Sequence, residues 1–226
     1  MKNIFVMLCL GLALATSGLA NATDRRSTPA NHYVFLDVTG SVPLVQNEAY
    51  AQRAAASVSS LLANSALLGD TIYLQHIGDR NWDILNPKSW TTGRKLRVSK
   101  LAGGVAEYIA GIPNEKFTVS ETSIFFALQT APIQCSPGST VILLTDGLET
   151  GRETNLMDVL SGEKQFATPA REYLKGCSVS LVGLGIPVSD EGAMSIGQLD
   201  NLEAAYRTYF VAAGVHPDDI SIKNLF

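Results

Sequence analysis

The chain has 226 residues, 46% of them hydrophobic, with 17 Lys and Arg against 21 Asp and Glu, a net charge of −4 and three cysteines. This length gives one or two domains with ample apolar material for a core, which excludes a disordered chain, a collagen-like repeat and a disulfide-framework miniprotein. A mildly acidic chain, with a sequence pI of about 5.4, carries no global positive field, so nucleic acid is not the expected partner and the partner must be read from a site.

Residues 1–22 read as a secretory leader: Lys2 gives the positive start, 4–15 is nearly all apolar, and Ala20-Asn21-Ala22 has the small-x-small pattern of a cleavage site. Cys9 lies inside the apolar stretch after Leu8, so lipid attachment is not expected there. Cleavage after Ala22, rather than retention as an anchor, leaves 204 residues, a charge of −5, and Cys135 and Cys177. The expected location is periplasmic or secreted. No other segment reaches about 18 consecutive apolar residues, so no transmembrane segment is expected after cleavage. An even cysteine number in an exported chain favours a disulfide.

Residues 23–31 are polar, carry Pro29 and have no periodicity, as a linker would, which leaves 32–226 as one domain. Residues 32–37 (HYVFLD) form a continuous β-favouring run ending in an acid, the pattern of a strand buried on both faces. A helix is expected over 44–68, stopped by Gly69, then a strand over 71–77. Between 78 and 104 only an edge strand is expected, around the Leu96-Arg97-Val98 alternation. Helical segments follow near 105–110 and 123–129, and then the strongest strand, 139–145, ending in Asp146-Gly147. Thr168-Pro169 predicts a short helix through Lys175. A strand over 178–184 and an amphipathic helix over 198–213 close the series, with a last strand at 220–223 expected to be short or absent.

Strands alternating with helices predict an α/β fold: a Rossmann-like, doubly wound, mostly parallel sheet with helices on both faces. Such sheets bind ligands beyond the carboxyl ends of the strands, where strand order reverses. Two strands end there in Asp37 and Asp146. The first continues Asp37-Val38-Thr39-Gly40-Ser41, and the loop before residue 123 offers Glu121 and Thr122. These are short oxygen donors, the type that hard cations such as Mg²⁺ take.

Asp-x-Thr-x-Ser after the first strand, a Thr before a mid-chain helix and Thr-Asp-Gly after the fourth strand resemble the three-loop metal-ion-dependent adhesion site of von Willebrand factor A (vWA) domains. The resemblance runs from Tyr33 to about Gly214. It implies that Thr39 and Ser41 ligate the metal, that Thr122 joins them in the ligand-ready state, and that Asp37 and Asp146 hold it largely through waters. The implied ion is Mg²⁺, with Mn²⁺ or Ca²⁺ as alternatives, and the implied partner is a protein presenting an Asp or Glu to it. Thr39 stands where the family usually has Ser. Ser120-Glu121 stands where it often has Gly-Gly, which adds Glu121 as a further carboxylate. The short chain end implies a truncated sixth strand. In this fold the strands after Cys135 and Cys177 are neighbours about 4.8 Å apart, so a bridge between the two cysteines is expected at their amino ends, roughly one strand length from the metal edge.

Hydroxyl ligands leave the cation most of its charge, so the module is expected to bind rather than catalyse. Two other readings start from the same residues. Asp37-x-Thr39-Gly40-Ser41 also resembles the nucleophile motif of aspartyl-phosphate phosphatases of the haloacid dehalogenase group, but the later strand ends in Gly183-Leu184-Gly185-Ile186-Pro187 without the acid pair that chemistry needs at that end. Alternatively, the chain is a structural subunit with a vestigial metal site. The same Gly183-x-Gly185 lacks the third glycine of a dinucleotide fingerprint, having Val188 there. His32, His76 and His216 have no ligand spacing and read as packing or surface residues. Arg94, Lys95, Arg97 and Lys100 read as edge-strand charges that deter pairing. The long polar segment 147–167 leaves the metal edge and is expected to choose the partner, with Glu149 beside the ion or touching that partner.

Overall fold

A computed structural model describes residues 27–78, 88–117, 119, 121–151, 155–186 and 193–224. The expected leader, Ser120, Val188 and the 152–153 part of the long segment lie outside the described residues.

Six strands form one sheet in the order β3-β2-β1-β4-β5-β6. These are β1 (Asn31–Asp37), β2 (Thr71–Ile77), β3 (Lys88–Thr91), β4 (Ser139–Leu144), β5 (Cys177–Val182) and β6 (Ile220–Lys223). All pairs are parallel except β2 with β3. The fold is therefore the expected doubly wound α/β arrangement. Strand order reverses beside β1, which pairs with β2 on one side and β4 on the other, so the carboxyl ends of β1 and β4 open onto the ligand-binding crevice of this topology.

Alternating strand residues feed two cores. Val34, Leu36, Ile72, Leu74, Ile142 and Leu144 face α1 (Pro43–Gln46), α2 (Glu48–Ser65) and α3 (Val98–Gly111). On the opposite face, Tyr33, Phe35, Val141, Leu143, Val179 and Leu181 meet α4 (Ile124–Thr130), α5 (Leu156–Leu160) and α6 (Ile196–Ala212). The long helix expected over 44–68 is broken at Asn47, whose side chain accepts the Tyr50 N–H at 3.0 Å and starts α2 afresh. Ser195 and Gln198 cap α6 reciprocally. The final strand is short, as expected, yet pairs with β5 along all four residues.

Three local expectations are corrected. The edge strand lies at Lys88–Thr91, not around Leu96–Val98: the Gly93 N–H donates to the Leu96 carbonyl in a turn, and Val98 already opens α3. The buried face of that helix runs Leu101, Ala102, Val105 and Ile109, a helical spacing that the short alternation before it conceals. Arg94, Lys95, Arg97 and Lys100 consequently sit on the turn and the first turn of α3 rather than on the edge strand. The helix expected from Thr168 to Lys175 does not form: the Leu174 N–H is taken by the Ala213 carbonyl, so this buried leucine is tied to α6 and not to its own upstream turn. The folded part also takes in two linker residues, since Ala30 is buried with its N–H on Asp70 and Asn31 opens β1.

At the amino ends of the strands, Cys135 and Cys177 form the expected disulfide, with Cα atoms 5.1 Å apart. Beside it lies a closed polar cluster. Asp70 accepts the N–H groups of Ala30 (2.8 Å) and Leu67 (2.7 Å) and is 3.1 Å from His32 Nε2, while His32 Nδ1 is 2.9 Å from Thr140 Oγ1. His32 is thus a core residue. His76 lies against the Tyr108 hydroxyl at 2.8 Å, and His216 is exposed.

Candidate metal centre

Three loops meet at the carboxyl ends of β1 and β4. Asp37 is fully buried as the last residue of β1. Its Oδ1 accepts both the N–H and the O–H of Thr39, at 3.1 and 2.6 Å, and its Oδ2 accepts the Thr145 hydroxyl at 2.6 Å. The short reach of Asp37 to a residue two positions on is ordinary turn chemistry for an aspartate. Thr39 Oγ1 in turn accepts the Thr122 hydroxyl at 3.0 Å and lies 3.2 Å from Ser41 Oγ. The Thr39 hydroxyl proton goes to Asp37, and the Thr39–Ser41 contact places two hydroxyl oxygens side by side. Asp37, Thr39, Ser41 and Thr122, expected together from the sequence, are therefore joined in one hydrogen-bonded cluster.

Asp146 follows β4 and is 1% exposed. Its Oδ1 accepts the Leu148 N–H at 2.9 Å, but its Oδ2 is buried with no hydrogen-bond partner among the described residues. Gly147 turns the chain away from it with φ +79, and a Cβ there would strike the side chains of Leu184 and Tyr206. Glycine is required at that position twice over, for backbone and for space.

Burial raises the pKa of both carboxyls. For Asp37 the rise is to about 7, with burial first and the Asp146 charge second, against the pull of the Thr145 and Thr39 hydrogen bonds. Asp146 is raised by burial and pulled back by the Leu148 N–H and the Ser41 hydroxyl. Two carboxylates thus share a buried space and destabilise each other's charged form. A cation would compensate that repulsion, and the atoms around it are oxygens, the set that hard divalent ions accept. The residues present fit such an ion: Asp146 Oδ2 has a vacant acceptor position, and the hydroxyls of Thr39, Ser41 and Thr122 converge on the same cluster.

Glu149, expected beside the ion or touching the partner, is buried. It is 4% exposed, and its oxygens accept the N–H groups of Gly151 (3.0 Å) and Phe125 (3.2 Å). Phe125 is in the first turn of α4, whose N–H groups have no acceptors within the helix. Glu149 therefore caps α4 from the neighbouring loop. The two loops are joined again by the Thr122 N–H on Thr150 Oγ1 (2.8 Å) and the Thr150 N–H on the Thr122 carbonyl (3.0 Å). Glu121 is half-buried beside them. The long segment after Asp146 is only partly a polar loop, because α5 and Phe166 bury Val159, Leu160 and the Phe166 ring in the core.

Three contributors are absent from the expected residue set. Thr145 stands inside the Thr-Asp-Gly motif, so its position was visible, but its bond to Asp37 across the two strands was not. The hydroxyl of Thr150 has no motif. Tyr206, far along in α6, donates to the Gly147 carbonyl at 2.9 Å and fixes the turn after Asp146 from below.

No protein-family profile matches the chain, and no curated protein sequence matches it. Among solved structures it is similar to proximal thread matrix protein 1 from the mussel byssus, at 13% identity and a TM-score of 0.47 over 88% of this chain and 44% of that one. It is also similar to the manganese-loaded TRAP protein of Plasmodium vivax, at 14% identity and 0.44 over 86% and 68%, and to the SpRpn10 VWA domain, at 11% and 0.41 over 87% of each. The chain spans less than half the length of the mussel protein. These likenesses are of outline, and the functional reading rests on the residues of the three loops.

Proposed function

We propose that the chain is an exported vWA-type binding module that holds a divalent cation at the three loops and uses it to capture an acidic side chain of a protein partner in a cell-envelope assembly or adhesion system. Mg²⁺ is the first choice of ion, with Mn²⁺ or Ca²⁺ as alternatives. The observation that carries this reading is Asp146 Oδ2, a buried carboxylate oxygen without a partner among the described residues, beside a second buried carboxylate and three converging hydroxyls. An unpaired buried charge costs several kcal/mol unless something compensates it. A bound cation supplies that compensation and, with few charged ligands, an electrophilic position for an outside oxygen.

The chain's own residues divide the work. Thr39, Ser41 and Thr122 offer neutral oxygens. Asp37 is engaged on both oxygens and orients Thr39 through its N–H and O–H. Asp146 contributes the free acceptor. The same engagement of Asp37, together with its full burial, speaks against its use as a phosphoryl-accepting nucleophile, which needs an open face for in-line attack. The disulfide supports an oxidising compartment, and no helix among the described residues is long and apolar enough to cross a membrane.

The test is a pull-down from envelope extract in Mg²⁺, repeated with chelator and with Ser41→Ala. The reading predicts a partner recovered only by the unmodified protein with metal. Recovery indifferent to both treatments would point to the structural subunit with a vestigial site.

A further inference from the structure

Between β3 and α3 the chain forms a concave surface. A cavity of about 340 Å³ opens there. Leu74 and Trp90 form one wall, and Leu101 and Val105 of α3 form the other, with Leu96 closing one end. The volume is within the range of small-molecule sites. At about 30 Å³ per non-hydrogen atom, the share of a water in the liquid, it seats about ten such atoms.

Its two charged lining residues are both lysines. Lys88 and Lys100 both line the cavity and both are exposed. Lys88 Nζ sits 5.2 Å from the centroid of the Tyr108 ring, another lining residue, and neither ammonium is in an ion pair among the described residues. The stretch from 88 to 100 adds Arg94, Lys95 and Arg97 and contains no acid. The positive field reaches inward as well: His76 is held down to about 4, by burial and then by the Lys88 charge. Apolar walls with cations at the rim select a ligand that is apolar at one end and anionic at the other.

We infer that the cavity between β3 and α3 binds a compact amphiphilic carboxylate, with an apolar body of about ten non-hydrogen atoms between Trp90 and α3 and its carboxylate at Lys88 and Lys100. None of its lining residues belongs to the three loops of the metal centre. Gly104 provides a direct way to close it, because it lines the cavity and a Cβ built there meets nothing within 4 Å. Replacing a mid-helix glycine also favours the helix.

The experiment is calorimetric titration of the full, disulfide-bonded chain with 2-naphthoate, its neutral amide and 2-naphthylmethylammonium. Expected are one saturable naphthoate site, amide binding at least tenfold weaker, and no binding of the cation. Gly104→Leu should weaken naphthoate at least tenfold with an unchanged or raised melting temperature. The exposed pair Lys88→Met with Lys100→Met should bring naphthoate down to the level of the amide. Absence of saturable binding, equal binding of acid and amide, or indifference to both variants would overturn the proposal. So would a dimer in sedimentation equilibrium that Gly104→Leu dissociates, since the occupant would then be a second copy of the chain.

Discussion

The two ends of the sheet are both polar and buried, but they are finished differently. At the amino end, Asp70 receives two N–H groups and faces His32, His32 reaches Thr140, and the Cys135–Cys177 bridge closes the layer. At the carboxyl end, Asp37 is as fully bonded as Asp70, yet Asp146 beside it keeps an unpaired oxygen. Buried polar groups in folded proteins are nearly always paired. The first end thus reads as a stability device, while the unpaired oxygen at the second is what the proposed cation would meet.

Substitutions at the two ends should therefore move stability in opposite directions. The largest effect is expected at Asp70→Ala, which leaves His32 and two N–H groups without their acceptor and should cost about 3–5 kcal/mol in urea unfolding. A loss under about 1 kcal/mol would remove the distinction between the ends. Next is the double substitution Cys135→Ser with Cys177→Ser, which frees a loop of 42 residues and should cost about 2–4 kcal/mol while leaving metal affinity unchanged. Mg²⁺ at a hundred times its dissociation constant should stabilise the native protein by about 2.7 kcal/mol, read as a raised melting temperature. Asp146→Asn should abolish that metal response and, without metal, stabilise the chain by about 1 kcal/mol by removing a buried unpaired charge. An Asp146→Asn protein that is less stable than the parent in chelator would show that the carboxylate is already compensated.

The smallest expected effect lies away from both ends. His76 is held near 4, below its ordinary value, mainly by burial and also by Lys88. The unfolded chain therefore binds the extra proton first, and this contribution to stability is complete above about pH 6.5 and lost as the pH falls toward 4. The urea midpoint should rise across that interval, and His76→Gln, which keeps an acceptor for Tyr108, should flatten the rise.

Much of the carboxyl end was legible because its residues are contiguous in sequence. Asp37, Thr39 and Ser41 fall in five positions, and Asp146 directly follows the most apolar strand. Thr122 is different: nothing local marks it, and only the order of three motifs picks it out. The role of Glu149 could not be read, since capping α4 from a loop more than twenty residues downstream leaves no local pattern. The amino end was nearly silent apart from its cysteines. Asp70 follows a Gly69 turn like any surface aspartate, and its partners come from positions 30, 32 and 67.

The fold followed the same rule. Central strands buried on both faces announce themselves as apolar runs, and all four were placed to within a residue or two. Errors came where two codes overlap. The basic turn at 94–97 and the paired Gly103-Gly104 weaken the helical signal of α3. Thr168-Pro169 reads as a cap and first turn, but Leu174 gives its N–H to Ala213, and that tertiary bond prevails over the local signal.

Calorimetric titration of Mg²⁺ into the metal-free chain tests the central claim most directly, with Ser41→Ala and Asp146→Asn run alongside. One ion per chain, with affinity lost in both variants, is the predicted result. No binding at millimolar Mg²⁺, Mn²⁺ or Ca²⁺, or binding that both variants retain, would contradict it.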